Sequence, residues 1–456
     1  MYILRCRPVI LVLMMYVLGS AFEGRAQEPA MRNGDVLTLE QAIAIALRDN
    51  PKVQNAALDV QRLVETFAAT RTRRLPSFQF EAIGSQQLTP INFSFERGVF
   101  GTFPGVGPIP AENTKISTPM QPTAVLTTRV TQPLLQLYEI NLNLKQLKVK
   151  NEIAQEELRA RQQQIIRDVK RAYFALLGTE SALKAAAENI KMYRELDRVT
   201  GDYVAQQVVL RTESLDVKSR LARSQYDILT LADQAGTQKQ QLNLLLGRDV
   251  LTEFTVTDVV EADSSEADLT LARARALEQR PEVREARLKV TQAEGDRRIK
   301  KADYLPDVSA SFQHIVNANF GNGLIPRNYM NVGVTVSWEV FDWGRKKREL
   351  TEKELATTQA RNTLKDAERA VVAEVNDKFN KLRQARQLIA VVAADREAAV
   401  ENVRVLANRY KAQMSLLKDV LQAQAQLEQA NHQGRQALLN YWTAKADFEN
   451  AIGEDR

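Results

Sequence analysis

The sequence predicts a mainly α-helical protein with a smaller β portion, built as two copies of one unit. Three observations predict this fold class. The chain repeats itself, each copy contains an uninterrupted helical stretch of about sixty residues, and four segments alternate apolar and polar residues. The order within one copy is helix, strand, loop, strand, very long helix, turn and helix. This order places the strands between helices rather than in a separate β domain.

The internal duplication is visible at matched short segments. The shift between copies is about 230 positions up to the start of the strands and about 206 beyond them. The first copy therefore holds about 24 extra residues, between Pro76 and Val130. The matched segments are Leu37–Leu39 with Leu269–Leu271, Asn50-Pro51 with Arg280-Pro281, Leu75-Pro76 with Leu305-Pro306, and Leu246-Gly247 with Ile452-Gly453.

The duplication predicts a first repeat over 27–247, a linker over 248–268 and a second repeat over 269–456. Within the first repeat we expect a β-hairpin over 77–136 with a long external loop and a turn at 203–213. Within the second we expect a hairpin over 307–343 and a turn at 410–418.

Residues 1–26 have the features of a signal peptide. Arg5 and Arg7 precede an apolar run of about ten residues, Val9–Leu18, and small residues follow it up to Ala26. Cleavage there would remove Cys6, the single cysteine of the chain. We therefore expect an exported protein with no disulfide and no thiolate metal site.

The helical stretches have narrow apolar stripes, which favours packing in coiled coils. The long helices, about Ile140 to Thr200 and Arg345 to Arg409, would measure about 90 and 97 Å. In the first copy, the shorter helices Pro51–Thr72 and Glu213–Leu246 would measure about 33 and 51 Å. Two short helices stacked end to end would therefore run alongside one long helix.

The four predicted strands each have one apolar and one polar face. They cover Ser77–Ser85, Thr123–Thr131, Asp307–Asn317 and Tyr329–Val340. This pattern fits a transmembrane β-barrel and also a half-buried soluble sheet. The strands alone favour the soluble sheet, whereas export and the long helices favour the membrane. Four strands cannot close a membrane barrel, so two chains would have to share eight strands or three chains twelve.

Composition excludes several function classes. The formal net charge is +6, and the charges alternate along the helices without a basic cluster, so we expect no nucleic-acid partner. His314 and His432 are the only histidines and lie far apart in sequence, which argues against a metal site. No phosphate loop, dinucleotide-binding glycines or nucleophile motif is present, so we expect neither an enzyme nor a cofactor.

The chain resembles the TolC family of outer-membrane efflux proteins. The resemblance rests on the duplicated strand start (Leu75-Pro76 and Leu305-Pro306), the strand exit Val332–Gly344 and the helix-turn segment Tyr410–Ala423. It implies a homotrimer in which a shared twelve-stranded barrel, four strands per chain, continues into a periplasmic barrel of twelve helices. The link 248–268 would belong to an equatorial domain.

The function that the resemblance implies is a passive exit duct in the outer membrane, with a large periplasmic portion. Its partners would be outer-membrane lipid, a periplasmic adaptor and an inner-membrane transporter of a tripartite efflux or type I secretion system. The alternative from another class is a non-conducting periplasmic coiled-coil scaffold whose strands form a soluble sheet.

The resemblance also implies site residues near the two helix turns. Asp419 and Gln422 occupy the positions of the pore constriction, where the family often has two aspartates. Glu213, Tyr203 and Tyr410 lie at comparable gate positions. The family usually has a glycine in each turn where the adaptor docks; Gln413 replaces it in the second turn, and the first has Gln206-Gln207. The residues implied in adaptor docking are therefore Gln207, Gln413 and Met414.

Ordinary structural roles compete with these interpretations. Asp419 is either a pore carboxylate or a solvated helix charge, Glu213 either holds the closed tip or caps a helix, and the tyrosines either bond across helices or simply pack. At the end of the last strand, Trp338, Phe341 and Trp343 form either an interfacial aromatic belt or part of a core.

The extra residues of the first copy fall within Gly84–Gln121, which is rich in glycine, proline and small polar residues. Such a loop can lengthen at the extracellular mouth without disturbing the repeat. Four phenylalanines in it would fold over the opening: Phe93, Phe95, Phe100 and Phe103.

Overall fold

The computed structural model describes residues 36–117, 120–207, 210–257, 268–318, 326–412 and 414–455. The predicted signal peptide, residues 258–267 of the linker 248–268, and Gln413 lie outside these ranges. None of the helices in the described residues has an apolar stretch long enough to cross a membrane.

The elements up to residue 246 begin with a short strand and two helices, and end with a very long helix followed by a shorter one. They are β1 (Val36–Leu37), α1 (Leu39–Asp49), α2 (Pro51–Thr72), β2 (Ser77–Gln86), β3 (Asn92–Phe95), β4 (Thr102–Phe103), β5 (Gly107–Pro108), β6 (Thr114–Ser117), β7 (Pro122–Pro133), α3 (Gln136–Ala205) and α4 (Arg211–Leu246).

The later elements follow a similar order, without counterparts of β3 to β6 among the described residues. They are β8 (Thr255–Val256), α5 (Leu269–Gln279), α6 (Pro281–Ala302), β9 (Asp307–Ala318), β10 (Asn328–Ser337), α7 (Arg345–Lys411) and α8 (Leu417–Ala451). The paired helices have equal lengths in both halves, 11 residues for α1 and α5 and 22 for α2 and α6.

Several boundaries differ from the sequence-based predictions, including the second turn, predicted at 410–418, because α7 ends at Lys411 and α8 begins at Leu417. The first turn is shorter than 203–213, because α3 continues to Ala205 and α4 already begins at Arg211, so Tyr203 lies inside the last turn of α3. The last strand was predicted to reach Val340, which is wrong, because β10 ends at Ser337. Its partner β9 begins at Asp307, directly opposite Ser337, so no strand is available to pair with residues beyond it.

The helices pack side by side, and their contacts define the order in which they are arranged. The 70-residue α3 packs against α2 and α4 and also against α6 and α8, and the 67-residue α7 packs against α6 and α8. The order is therefore α2 with α4, then α3, then α6 with α8, then α7. At 1.5 Å per residue the two long helices measure about 105 and 100 Å. As expected, two shorter helices run along each long one.

Glycines at the helix ends form the joints between the stacked helices. Gly247 ends α4 with a φ of 71° and lies against the backbone of Asp49 and Asn50, where α1 meets α2. The Asn50 side chain accepts a hydrogen bond from the Lys52 N–H (2.9 Å) and donates one to the Leu245 carbonyl (2.8 Å). Gly453, with a φ of 84°, lies in the same way against Gln279 and Arg280. Positive φ and close backbone contact both require glycine here.

Tyr173 organises the apolar core near the middle of α3. Its ring is buried among residues of α1, α3 and α4. Its hydroxyl lies 2.9 Å from the Leu37 carbonyl and 3.0 Å from the Thr257 carbonyl, and it accepts a hydrogen bond from the Thr257 N–H (3.0 Å). Leu37 belongs to β1, and Thr257 follows β8, the parallel partner of β1. One side chain therefore holds this small sheet on the long helix.

Candidate functional site

The four longer strands form one antiparallel sheet in the order β10-β9-β7-β2. β2 pairs with β7 over ten positions, β7 with β9 over ten and β9 with β10 over ten. The outer edges of β2 and β10 have no strand partner among the described residues. Each edge therefore presents free backbone hydrogen-bonding groups, which cannot remain unpaired in a lipid environment.

One face of this sheet is apolar and open. Phe78, Phe80, Val332, Val334 and Val336 have 78%, 70%, 81%, 65% and 62% of their surface exposed. Such a large exposed apolar surface marks contact with a membrane or another protein. The period-two pattern of the sequence thus predicted the faces correctly.

The polar face carries few charges. At its centre, Arg129 lies between Gln79 and Gln313 in the strand register, and Asn331 continues the same row on β10. The acidic residues on this face are Glu81, two residues beyond Gln79, and Asp307 at the start of β9. Sequence analysis did not single out this row, because the strand register brings its members together.

The aromatic residues after β10 lie on the surface of the chain. Trp338, Phe341 and Trp343 are 57%, 72% and 90% exposed. The alternative prediction that they form part of a core is therefore wrong within this chain. The rings of Phe341 and Trp343 are in edge contact, with centroids 4.9 Å apart. Asp342 accepts hydrogen bonds from the N–H groups of Gly344 (3.0 Å) and Lys346 (2.7 Å), which fixes the start of α7.

The long loop between β2 and β7 has structure of its own. β3 pairs with β6, β4 pairs with β5, and the rings of Phe95 and Phe100 lie 5.3 Å apart. Its short strands were not predicted from the sequence because pairings of two to four residues carry little periodic signal. We call residues 87–121 the external lobe.

At the second helix turn, Asp419 is half-buried and caps a helix. Its carboxylate accepts a hydrogen bond from the Leu416 N–H (3.2 Å), the residue that precedes α8. A carboxylate three residues into a helix satisfies a free backbone donor and interacts favourably with the helix dipole. This role was expected for Glu213 rather than for Asp419. Glu213 holds the matching position after Leu210 but is exposed, and its side chain makes no hydrogen bond or ion pair with described residues.

No hydrogen bond or ion pair joins Asp419 to those of the other predicted gate residues whose side chains the structure describes. Gln422 lies three residues further along α8 and is exposed, and Tyr203 is half-buried near the end of α3. Tyr410 is in the penultimate position of α7, and its side chain is outside the description.

The first helix turn places a glutamine in a backbone conformation that favours glycine. Gln207 has a φ of 62° and donates its N–H to the Val204 carbonyl (3.0 Å), which closes the end of α3. In the second turn, Met414 is 77% exposed, and Leu416 is 69% exposed. The turns are thus exposed and partly apolar, and the first one adopts a glycine-like bend without a glycine.

The C-terminal end is bound to the middle of α3. Arg159 bonds the Asp455 carboxylate (3.0 Å) and the carbonyls of Gln279 and Gly453, and Gln163 also donates to Asp455 (2.6 Å). Burial alone would raise the pKa of Asp455, but the hydrogen bonds from Arg159 and Gln163 outweigh it and hold the pKa below its usual range.

No group of three metal-ligating side chains occurs among the residues that the structure describes. The two histidines lie on separate elements, His314 on β9 and His432 on α8.

The structure has the fold of known outer-membrane channels. It matches the Campylobacter jejuni CmeC outer membrane channel with a TM-score of 0.74 at 15% identity, over 91% of this chain and 85% of that one. It matches the open state of the Neisseria gonorrhoeae MtrE outer membrane channel with a TM-score of 0.71 at 17% identity, over 91% and 89% of the two chains.

The sequence also matches the model of the outer membrane efflux protein family, over residues 42–248 and 272–454. The chain therefore belongs to this family and is an outer-membrane protein. Protein CyaE of Bordetella pertussis is 28% identical over 191 residues, which are 41% of this chain and 39% of that protein. The chain thus matches well under half of the length of this curated relative.

Proposed function

We propose that the protein is a passive exit duct of the outer membrane, formed by three chains. The duct would couple through a periplasmic adaptor to an inner-membrane transporter of an efflux or type I secretion system. Family membership supports a role in efflux or secretion. One observation carries the finer proposal. The edge strands β2 and β10 of the sheet, and the outer helices of the helical layer (α2 with α4 on one side, α7 on the other), have no partner on their outer side among the described residues.

The open edges are complementary between copies. β2 leads from α2 and β10 leads into α7, so the free sheet edges lie on the same sides as the outer helices of the layer. Successive strands of the sheet are antiparallel, so β2 of one chain would meet β10 of the next in antiparallel pairing. Three chains would close twelve strands and remove every edge.

Exposed apolar side chains on the outer helices support the same arrangement. Leu355 and Val391 on α7 are 62% and 56% exposed, and Tyr226 and Leu229 on α4 are 69% and 61% exposed. Neighbouring chains that bring α7 against α2 and α4 would cover them and continue the coiled-coil packing.

Edge pairing can be tested with engineered disulfides, because Cys6 is the single native cysteine and lies in the predicted signal peptide. Gln79→Cys combined in turn with Asn331→Cys, Gly333→Cys or Thr335→Cys should give covalent dimers and trimers for at least one partner. Gln79→Cys with Asp366→Cys on α7 is the matched control. If none of the three edge pairs gave covalent dimers or trimers, the result would contradict the shared sheet.

Extraction separates the duct from the scaffold. The duct should require detergent for extraction and float with outer-membrane vesicles, since its apolar sheet face is exposed. Release of the protein into the aqueous periplasmic fraction would favour the scaffold.

Deleting Gly98–Ala111 from the external lobe should leave assembly intact, because these residues lie between β3 and β6 and outside the four-stranded sheet. Loss of folding would show that the lobe is part of the core.

We further propose that Asp419 forms a carboxylate ring at the closed periplasmic end. Three copies around one axis would favour cations. Because Asp419 also caps α8, the informative change is Asp419→Asn, which removes the charge and keeps an oxygen acceptor for the Leu416 N–H. In planar bilayers it should weaken cation preference, as should Asp419→Ala, while Gln422→Ala should do little. Unchanged selectivity in both Asp419 variants would place the constriction elsewhere.

The helix turns would dock the adaptor through Gln207, Gln413 and Met414. The exposed position of Met414 supports this proposal. Met414→Asp should abolish pull-down of the adaptor from cells that express all three partners, whereas Glu65→Gln on the distant α2 should not.

A further inference from the structure

The polar face of the sheet contains one row in which every member is a long polar side chain. Gln79 pairs with Arg129, Arg129 with Gln313 and Gln313 with Asn331, so the row crosses all four strands. The next row towards the helices contains Ser77, Thr131, Ser311 and Gly333, which are all small. The side chains of the first row therefore reach further from the sheet than those of this neighbouring row on the helix side.

Arg129 is the one Lys or Arg in the four long strands as the structure describes them. Its side chain is exposed and forms no hydrogen bond or ion pair with a described residue. Its neighbours in the row, Gln79 and Gln313, carry amide donors. A guanidinium with free donors beside amide N–H groups is suited to carboxylate and phosphate oxygens, which it can bind in a bidentate manner.

We propose that Arg129, with Gln79, Gln313 and Asn331, forms an oxyanion-binding belt inside the duct. The belt engages carboxylate or phosphate groups of solutes that pass through the barrel. This inference rests on the proposed function, because the polar face lines a lumen only if several chains close the sheet with the apolar face towards lipid. Three chains would then contribute three guanidinium groups at one level, as in anion-selective pores.

Glu81 sets the local balance of charge. It lies two residues beyond Gln79 on the same face, opposite Thr127, about 7 Å further along the strand. Like Arg129, it is exposed and without an ion pair among the described residues. The two charges have opposite signs and lie in neighbouring rows of the same sheet face. Removing one or the other should therefore shift the ion selectivity in opposite directions.

The first test is the reversal potential of the purified protein in planar bilayers under a KCl gradient. Arg129→Gln should raise the permeability of potassium relative to chloride by about twofold or more, and Glu81→Gln should lower it. Arg129→Lys should keep the wild-type ratio but lose block by inorganic phosphate, because an ammonium group cannot bind bidentately. If Arg129→Gln and Glu81→Gln both retain the wild-type ratio, the belt is refuted while the duct stands.

The second test needs no ion current. Thr131→Cys lies two residues from Arg129 on the same face, and the mature chain is expected to contain no other cysteine. A thiosulfonate reagent that carries a sulfonate should react faster than one that carries a trimethylammonium group. In the Arg129→Gln background this rate ratio should fall by about sevenfold, because one charge about 7 Å away in water changes each of the two rates by about 2.7-fold, in opposite directions.

The two failures are distinguishable. An equal rate ratio in both backgrounds, with Thr131→Cys reactive, would overturn the belt alone. A Thr131→Cys thiol that is inaccessible to both reagents, while Phe80→Cys on the apolar face reacts, would overturn the orientation of the sheet and the proposed function with it.

Discussion

Replacing Gly247 by alanine should open the joint between α4 and α2. A methyl group at this position would lie 2.6 Å from the carbonyl carbon of Asp49 and 3.0 Å from the backbone nitrogen of Asn50, so the backbone itself would have to move. The left-handed φ of 71° costs a non-glycine residue roughly 1–2 kcal/mol, and the overpacking about 1–3 kcal/mol. We therefore expect a loss of about 2–5 kcal/mol in the free energy of unfolding.

Two other glycines serve as controls with smaller expected effects: Gly453, at the equivalent joint of the second repeat, and Gly236, which lies within a helix. At Gly453 the new methyl group would lie 3.1 Å from the Arg280 nitrogen, so the steric part should be smaller and the loss about 1–2 kcal/mol. At Gly236, inside α4, no atom lies within 4 Å. Gly236→Ala should therefore stabilise the protein by about 0.5–1 kcal/mol, because alanine favours the helix.

The assay is thermal unfolding followed by the helical circular dichroism signal in detergent. Limited trypsin digestion should accompany it, since opening of the joint loosens the backbone at Arg48 and Arg248 on either side, and proteolysis requires such local opening. The melting temperatures should fall in the order Gly236→Ala, wild type, Gly453→Ala and Gly247→Ala, with the fastest cleavage in the last. A Gly247→Ala protein as stable as Gly236→Ala would refute the close-contact argument.

Three further changes test other parts of the structure. Tyr173→Phe should cost about 1–3 kcal/mol of unfolding free energy, measured by the same melt, because the buried hydroxyl that accepts from the Thr257 N–H and donates to the Leu37 or Thr257 carbonyl is lost. Gln207→Gly should slow hydrogen exchange at the end of α3 by relieving a left-handed residue, by about 0.5–1 kcal/mol; no change would mean that the turn is unstrained. The lowered pKa of Asp455 means that its stabilising bonds are complete above an unfolded pKa of about 3.9 and are lost as the pH falls through the folded pKa. Below about pH 4, the protection of the C-terminal segment against exchange, taken relative to the intrinsic exchange rate at each pH, should therefore fall, and Asp455→Asn should flatten this dependence, whereas an unchanged acid profile would remove Asp455 as its cause.

Much of the fold follows from the sequence because its determinants are local and periodic. The apolar stripes predicted the long helices, the alternation predicted both sheet faces, and the helix lengths predicted that α2 and α4 together lie along α3. Boundaries were less accurate. β10 ends at Ser337 because its antiparallel partner β9 begins opposite that residue, at Asp307, which is a property of the pair and not of the strand.

Interactions between distant segments were not predictable in this way. Tyr173 bonds Leu37, 136 positions away, and Arg159 bonds Asp455, 296 positions away. Neither residue belongs to a motif with fixed spacing. The row around Arg129 likewise depends on strand register. At the turn, Asp419 was chosen from the resemblance alone, and its capping bond to Leu416 became visible only with the start of α8.

The central claim is that three copies of this chain close one duct. The most direct measurement is the oligomer mass of the detergent-extracted protein by native mass spectrometry, with chemical cross-linking in the same detergent. We predict a single trimeric species and cross-linking that saturates at three chains, since each chain offers four strands with two free edges. A monodisperse monomer or dimer would contradict the account, because it would leave open edges or a barrel of eight strands filled by its own side chains.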